Sequence, residues 1–584
     1  MKNLALLLGI SMIANGQVEL DSWAIDHFQQ ALEAQKARRY DTAIEQYRLV
    51  LSKNPKFAEG YLNLGIVYQL QTKYTDSIGA FHRCLSIKPE MAAADVLLGI
   101  SYYMVQEFQA SRKQLERALS RDPKERQAGI YRALALMGLD QPEEAARQLR
   151  QTARYYPDDM EVAYHLGTAY SEGVKKDAQH LFDTSRGSAL YEWAMAISAE
   201  HKNDTNSALL HYLKAMQSDP NIPQLYVRAA ALFEKAGCPE LARDVLQRLS
   251  TGSAPLDRPA AATLENSAAE KKDLVVLWSQ LAHVHPEREM PRVADTPINT
   301  LVREQMPADK TGVLRAALAD YEQGKFAAAR ARLMRPPSTG ARHWVFSYLL
   351  ARSYMGEGNY EAAGELVERA LARHSDTPSV AFLKVEIQSE LALRCYELVL
   401  SKRPESSTAM LLRAKSLAAA NENDKAIEEF KELLRISPEM PQVHLGIAQI
   451  YADNFNWPGV IEELVKEVEI SPDNFLALAL LGHAYSEAAL ADQALPILTK
   501  VLAKYPRDAS ALADLGKVLA QKKDTPKAIE ALERALSCDP GRYRIHYRLF
   551  QLYQSMGQVE PAGKHLSIFR TESAKHGAAG AVVQ

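Results

Sequence analysis

Apolar residues along this chain fall in short stretches at helical spacing, each closed by a polar break, and the breaks return at a fixed interval. Pro55, Pro89, Pro123 and Pro157 follow one another every 34 residues, and Pro404, Pro438, Pro472, Pro506 and Pro540 do the same in the second half. Other columns keep the phase: Gly65, Gly99 and Gly167 with Ala133 between them, Tyr68, Tyr102 and Tyr170 three positions on, and later Gly482 and Gly516 with Tyr451, Tyr485 and Tyr553. A fixed period of this length marks a stack of small units, each burying its apolar face on its neighbours. Within one period the apolar spacing predicts two antiparallel helices. In the second unit Leu64, Gly65 and Tyr68 lie on the first helix, Lys73, Tyr74, Thr75 and Asp76 form the turn, and Phe81 and Cys84 face inward from the second helix.

A glycine inside a helix costs about 1 kcal/mol relative to alanine, so its return at one phase requires a compensating close helix contact. Small residues at Ala43, Ala145, Ala208, Ala363, Ala426, Ala494 and Ala528 are expected at the facing position. Enlarging either side should overpack by roughly 1 to 3 kcal/mol. The proline ends the second helix because it lacks an N–H and turns the preceding residue out of the helical region. The fold class is therefore all-α, an α-solenoid of antiparallel helix pairs.

With these columns in place the chain resembles the tetratricopeptide repeat (TPR) family. The family pattern of Leu-Gly-x2-Tyr, Ala-x3-Phe and Pro is met by Leu64-Gly65-Ile66-Val67-Tyr68 with Phe81 and Pro89, by Leu98-Gly99 with Tyr102 and Pro123, by Leu166-Gly167 with Tyr170, by Ala426 with Phe430 and Pro438, and by Leu481-Gly482 with Tyr485, Ala494 and Pro506. The resemblance covers most of residues 24–250 and 310–570. Departures are Ser77 and Ser111 in place of the small alanine, and a spacing from Pro157 to Pro220 of 63 instead of twice 34, which points to one shortened unit.

From Ser250 to about Lys310 the phase is lost among prolines 255, 259, 286, 291, 297 and 307, a linker in which Ser267 to Leu281 reads as a helix. A second irregular unit lies around Val380 to Pro404. The expected organisation is 1–16 a signal peptide, 17–250 an N-terminal array, 251–309 a linker, 310–573 a C-terminal array closed by a polar capping helix, and 574–584 a disordered tail. The signal reading rests on Lys2, the apolar run Leu4 to Ala14 and the small-x-small Ala14-Asn15-Gly16. It implies export, to the periplasm or beyond. If the run is instead a stray apolar helix, the chain is cytoplasmic. No segment after it reaches the roughly 20 apolar residues of a transmembrane helix.

Composition narrows the function classes. With 69 Lys and Arg against 72 Asp and Glu the net charge is -3, which gives no electrostatic footprint for nucleic acid. Cys84, Cys238, Cys395 and Cys538 are far apart and suit small buried residues better than zinc or disulfides. No common phosphate, metal or nucleophile signature is present, so no cofactor, no metal site and no catalytic residue is assigned. His283 and His285 read as surface histidines, Trp193, Trp278, Trp344 and Trp457 as core, and Glu462, Glu463, Glu467 and Glu469 as a solvated helix face.

The TPR resemblance implies a concave groove lined by the first helix of each unit. Carried onto this sequence, that places Asn63, Leu97, Tyr131 and His165 in one row, with Leu70, Tyr103, Met104, Met137 and Tyr164 beside it. Such an apolar, aromatic, Met-bearing strip suits a peptide or an amphipathic helix. Some relatives clamp a carboxylate tail with groove Lys, Asn and Arg; here Arg544 and Arg548 fit the basic pair, but Asp514, Ala479 and His483 stand where the clamp needs Asn, Lys and Asn. The expected function is a non-enzymatic scaffold that binds proteins, in cell-envelope assembly if the signal is real. The alternatives are a substrate-docking subunit of an enzyme such as a protein glycosyltransferase, and a self-assembling structural protein.

Overall fold

The computed structural model describes residues 20–185, 188–201, 204–219, 222–251, 312–334, 344–374, 377–440 and 442–580. The signal segment, nearly all of the linker with its helix, His283, His285 and Trp278, and the last four residues lie outside this set. Among the described residues every regular element is helical. The chain groups into two compact units, one of residues 1–123 with 413–584 and one of residues 124–412.

The first unit opens with three helix pairs, α1 (Ser22–Lys36) with α2 (Tyr40–Lys53), α3 (Ala58–Leu70) with α4 (Tyr74–Ile87) and α5 (Ala92–Met104) with α6 (Phe108–Arg121). Each proline column sits just past a second helix, as at Ile87 and Pro89. The room above Gly65 is taken by the Phe81 ring, which a Cβ there would meet at 2.5 Å. The close contact expected of the glycine column is real, but it faces the large column of the second helix. The small column lies alongside: Ser77 and Ser111 are fully buried, and Ser111 Oγ donates to the Gly99 carbonyl at 2.8 Å. Serine is tolerated there because its hydroxyl finds a backbone acceptor.

Two further features repeat with the period. The Tyr column binds back to the second helix of the preceding unit, with Arg48 Nη2 donating to Tyr68 Oη at 2.7 Å and His82 Nε2 lying 2.6 Å from Tyr102 Oη. The turn after each first helix passes through the left-handed region, at Arg38 (φ 57°), Thr72 (58°), Gln106 (58°) and Asp140 (57°), and again at Asn421 (59°), Phe455 (54°), Ala489 (58°) and Lys523 (62°). There Lys73 N returns to Tyr68 O at 2.8 Å, satisfying a carbonyl at the helix end. None of these eight residues is glycine, so the repeat imposes the turn against local preference.

The same unit closes with α20 (Asn423–Ile436), α21 (Val443–Asp453), α22 (Trp457–Ile470), α23 (Phe475–Glu487), α24 (Ala491–Lys504), α25 (Ala509–Gln521), α26 (Thr525–Cys538), α27 (Arg544–Ser555) and α28 (Val559–Gly580), after α19 (Ser407–Ala419) has crossed the boundary. Helix α28 runs past the Ser573 end expected from sequence. Its last turns hold Ala574, Ala578 and Ala579, the best helix formers, and no proline follows to stop it. Within the unit, Tyr505 Oη donates to Gln106 Oε1 at 2.5 Å, joining the C-terminal segment to the N-terminal one.

The second unit contains α7 (Arg126–Gly138), α8 (Pro142–Tyr155), α9 (Met160–Ser185), α10 (Ala189–His201), α11 (Thr205–Ser218), α12 (Pro223–Lys235), α13 (Pro239–Thr251), α14 (Val313–Glu322), α15 (Phe326–Leu333), α16 (Trp344–Gly356), α17 (Tyr360–Ala370) and α18 (Pro378–Lys402). The shortened unit expected after Pro157 is a single helix of 26 residues, α9. The irregular unit near Val380 is a second long helix, α18, of 25 residues. Each lacks a partner of its own, and they pack on each other in the most extensive helix contact of the unit. Gly167, in phase with the other repeat glycines, therefore meets Tyr396 of α18, whose ring would lie 2.6 Å from a Cβ at that glycine.

Ion pairs tie α8, α9, α17 and α18 together around this contact. Arg150 Nη2 reaches Glu368 at 2.7 Å, and Lys384 Nζ reaches Glu143 at 2.6 Å and Asp177 at 3.0 Å. One continuous apolar core runs from Ile130 through Leu166, Tyr348 and Val380 to Ala392. A second gathers Trp193, Tyr212, Tyr226 and Phe382.

Candidate functional site

First helices bury one face and leave the next positions half-covered. On α5, Leu98, Gly99 and Ser101 are buried while Leu97, Tyr103 and Met104 are half-buried. Gln69 Nε2 of α3 donates to the Leu97 carbonyl at 2.9 Å and to Ser101 Oγ at 2.7 Å, which ties neighbouring first helices along this face. Tyr103 packs on Phe108 with centroids 5.8 Å apart, and burial pushes its hydroxyl pKa up. In the second unit, Ala133 and Leu136 of α7 are buried while Tyr131 and Met137 are half-buried, as is His165 of α9.

Two residues of the expected row are less available. Asn63 is only 6% exposed and donates its amide to the Glu59 carbonyl of its own helix at 2.9 Å. Tyr164 is 8% exposed, its ring edge-on to His165 at 5.2 Å. Leu97 and Met137 also pack on their units' cores. The structure thus leaves Leu97, Tyr103 and Met104 half-buried in one unit and Tyr131, Met137 and His165 half-buried in the other.

The C-terminal first helices carry charge instead. On α23 and α25, His483 Nδ1 lies 3.0 Å from Asp514 Oδ2 and Lys517 Nζ lies 2.7 Å from Glu487 Oε1. Arg548, exposed on α27 with Arg544, also acts on Glu487, which Lys517, His483 and Arg548 together hold below its ordinary pKa against burial. His483, Glu487 and Asp514 offer ligand atoms within 4.8 Å of one another. Each is already engaged, the histidine by Asp514 and Glu487 by Lys517, so the arrangement reads as an ion-pair network.

Asp514 raises the pKa of His483, its hydrogen bond outweighing burial. A folded-state pKa above the unfolded value of about 6.5 contributes stability that is fully present below that pH and is lost as pH rises through the raised value. The melting temperature of the native chain should therefore exceed that of His483→Asn in mild acid, and the gap should close as the pH is raised. A gap that is constant with pH would refute this pairing.

Sequence reasoning missed a second polar column, a pair spanning the two helices of a unit at 19 residues' separation. His27 Nδ1 lies 2.6 Å from Gln46 Oε1, His211 Nδ1 lies 2.7 Å from Glu192, His444 Nδ1 lies 2.6 Å from Glu463, and His546 Nδ1 lies 2.8 Å from His565 Nδ1. The residue types differ between units, so no single-letter column shows; the signal was a donor facing an acceptor at constant separation. The glutamate patch is also corrected. Glu462 and Glu469 are exposed, but Glu467 is fully buried, accepting from the Gln442 N–H at 3.0 Å and from Asn474 Nδ2 at 3.1 Å.

Stacked helix pairs in phase, with half-covered apolar and charged positions along their first helices, define a helical-repeat protein of the α-solenoid class. The tetratricopeptide repeat model matches residues 28–92, 130–178, 348–388, 388–441 and 479–543, so these segments are tetratricopeptide repeats. It is 22% identical over 177 residues to anaphase-promoting complex subunit 3 of Schizosaccharomyces pombe, covering 30% of this chain and 27% of that protein. To the BBSome complex member BBS4 homolog of Drosophila melanogaster it is 26% identical over 199 residues, 33% of this chain and 41% of that one. The chain thus spans less than half the length of these curated relatives. Similar solved structures include MamA 41-end from Desulfovibrio magneticus RS-1, at 20% identity, TM-score 0.28, and 29% of this chain against 97% of that one. Another is YrrB, described as a TPR protein with an unusual peptide-binding site, at 18% identity, TM-score 0.28, and 31% against 93%.

Proposed function

We propose that this chain is a protein-interaction scaffold whose first helices hold an extended or helical segment of a partner. The observation that carries the reading is the half-covered apolar side chains beside fully buried neighbours on the same helix, Leu97, Tyr103 and Met104 on α5 in one unit and, separately, Tyr131 and Met137 on α7 in the other. A surface that places aromatic and Met side chains at rigid helical positions offers a partner apolar area at little ordering cost. Two of the similar curated proteins are by name members of multi-protein complexes, which agrees with a place in an assembly. The charged first helices α23, α25 and α27, with Arg544 and Arg548 exposed, suit an acidic segment.

Affinity capture with the full chain tests this reading against a Met104→Ala/Tyr131→Ala variant, both sites being only half-buried. Specific partners should be retained by the native chain and reduced about tenfold or more by the variant, the loss expected from removing two central contacts. Capture indifferent to both changes would refute the groove assignment. A role in cell-envelope assembly is the finer form of the proposal and rests on Lys2 and the apolar run after it. It requires the partners to be envelope proteins and the mature chain to begin near Gln17; cytosolic partners and an intact Met1 would refute it.

A further inference from the structure

Between α21 and α26 three successive left-handed turns lie in phase along one edge of the array, with Phe455, Ala489 and Lys523 at the positive-φ position. In the other units that position holds glycine or one of the polar residues Arg38, Thr72, Gln106, Asp140 and Asn421. A bulky side chain is disfavoured at positive φ, and Phe455 gains no burial in return, being 77% exposed. Its ring meets Trp457 edge-on at 6.2 Å, and Trp457 in turn packs on the core of the pair. Leu490, next to Ala489 on the middle turn, is 38% exposed. A strained backbone that holds an aromatic ring out in water points to a use for that ring.

The charges along the edge are ordered. Asp453 is exposed at one end and Lys523 at the other, and neither has an ion-pair partner among the described residues. Between and beside them the charges are matched, Asp492 by Lys522 and Asp524 by Lys527 at 2.9 Å. An acid, two apolar turns and a base in sequence are complementary to the same edge turned end for end, which is the requirement of a two-fold pair. The edge is also open, because the internal contact through Tyr505 lies at the opposite end of α24 from Leu490. That contact already uses one such turn for docking, since Gln106, which receives Tyr505, occupies the same repeat position as Phe455. We propose that this edge binds a second copy of the chain, with Leu490 packed on its counterpart at the two-fold axis and Asp453 and Phe455 of each copy set against Lys523 of the other. The lysine ammonium then pairs with the carboxylate and lies over the phenylalanine face, an arrangement favoured for a cation and an aromatic ring.

Sedimentation equilibrium of the full chain in low salt tests this, at concentrations up to about 100 μM, where a dimer of micromolar Kd is well populated. A reversible monomer–dimer equilibrium is expected, and a weak one, since three turns make a small interface. Asp453→Lys and Lys523→Asp each set like charges against one another at both ends of the pair and should weaken it about tenfold or more. Mixed one to one, the two variants should recover a heterodimer, because each altered residue then meets its opposite charge. Phe455→Asn removes the ring and should also weaken the dimer about tenfold or more. Asparagine tolerates positive φ, and all three positions are exposed, so these variants keep the fold and their melting temperatures verify it. A chain that is monomeric at every concentration, a dimer as tight in Phe455→Asn or in either charge variant as in the native chain, or a mixture of the charge variants no more dimeric than each alone would overturn the proposal.

Discussion

Arg352→Met should destabilise the second unit by about 3 to 5 kcal/mol, the cost of leaving a buried charge without its partner. Arg352 is 5% exposed, its Nη1 lies 2.5 Å from Glu386 Oε2, and Glu386 is itself 16% exposed. Its guanidinium lies over two rings, 5.7 Å from the Tyr348 centroid and 5.8 Å from that of Phe382. Phe382 in turn packs on Trp193 at 4.6 Å. Methionine retains much of the volume, so the loss isolates charge and hydrogen bonding from packing. The double change Arg352→Met/Glu386→Leu should recover much of the deficit, because replacing both members of a buried pair with apolar groups costs far less than removing one. Urea unfolding followed by tryptophan fluorescence reads the result, since Trp193 and Trp344 belong to this unit. A double variant no more stable than the single one would show that the pair is not what holds α16 to α18.

Glu467→Leu should cost the C-terminal segment about 1 to 3 kcal/mol, since two part-buried donors lose their buried acceptor. The carboxylate receives the N–H of Gln442, which stands in the left-handed region at φ 71° at the start of α21. It also receives Asn474 Nδ2, and Asn474 caps α23 by accepting from the Ala477 N–H at 3.2 Å. One side chain on α22 thereby fixes the entry to the helix before it and the helix after it. Glu467→Gln keeps an acceptor oxygen and should lose less than half as much. Equal losses for Leu and Gln would show that the charge, not the acceptor geometry, is what matters there.

Glu467 also shows where reading the chain reached its limit. A glutamate on the solvated face and one buried beneath a loop have the same letter and neighbours, and only the packed structure distinguishes Glu467 from Glu462. The 34-residue period was legible because it is carried by residues with special backbone and packing needs, Gly65 against Phe81 and the Pro89 type of helix stop. The left-handed turns were not, because Thr72, Gln106, Phe455 and Lys523 carry no turn signature of their own and follow only from phase. The two irregular units were visible as a short spacing between Pro157 and Pro220 and a break around Val380 to Pro404. That each break is a single long helix, and that α9 and α18 complete one another, depends on contacts more than 200 residues apart, such as Ser171 Oγ with Tyr396 Oη at 3.0 Å. The candidate groove was partly legible: Leu97, Tyr103, Met104, Tyr131, Met137 and His165 stay half-covered, whereas Asn63 is tied to its own helix.

The most direct measurement is hydrogen–deuterium exchange of the full chain with and without a captured partner segment. Binding along the first helices should slow exchange in α5 and α7 while leaving α6 and α8, the second helices of the same pairs, unchanged. Slowing confined to the second helices, or none on either set at saturating partner, would contradict a scaffold that binds through its first helices.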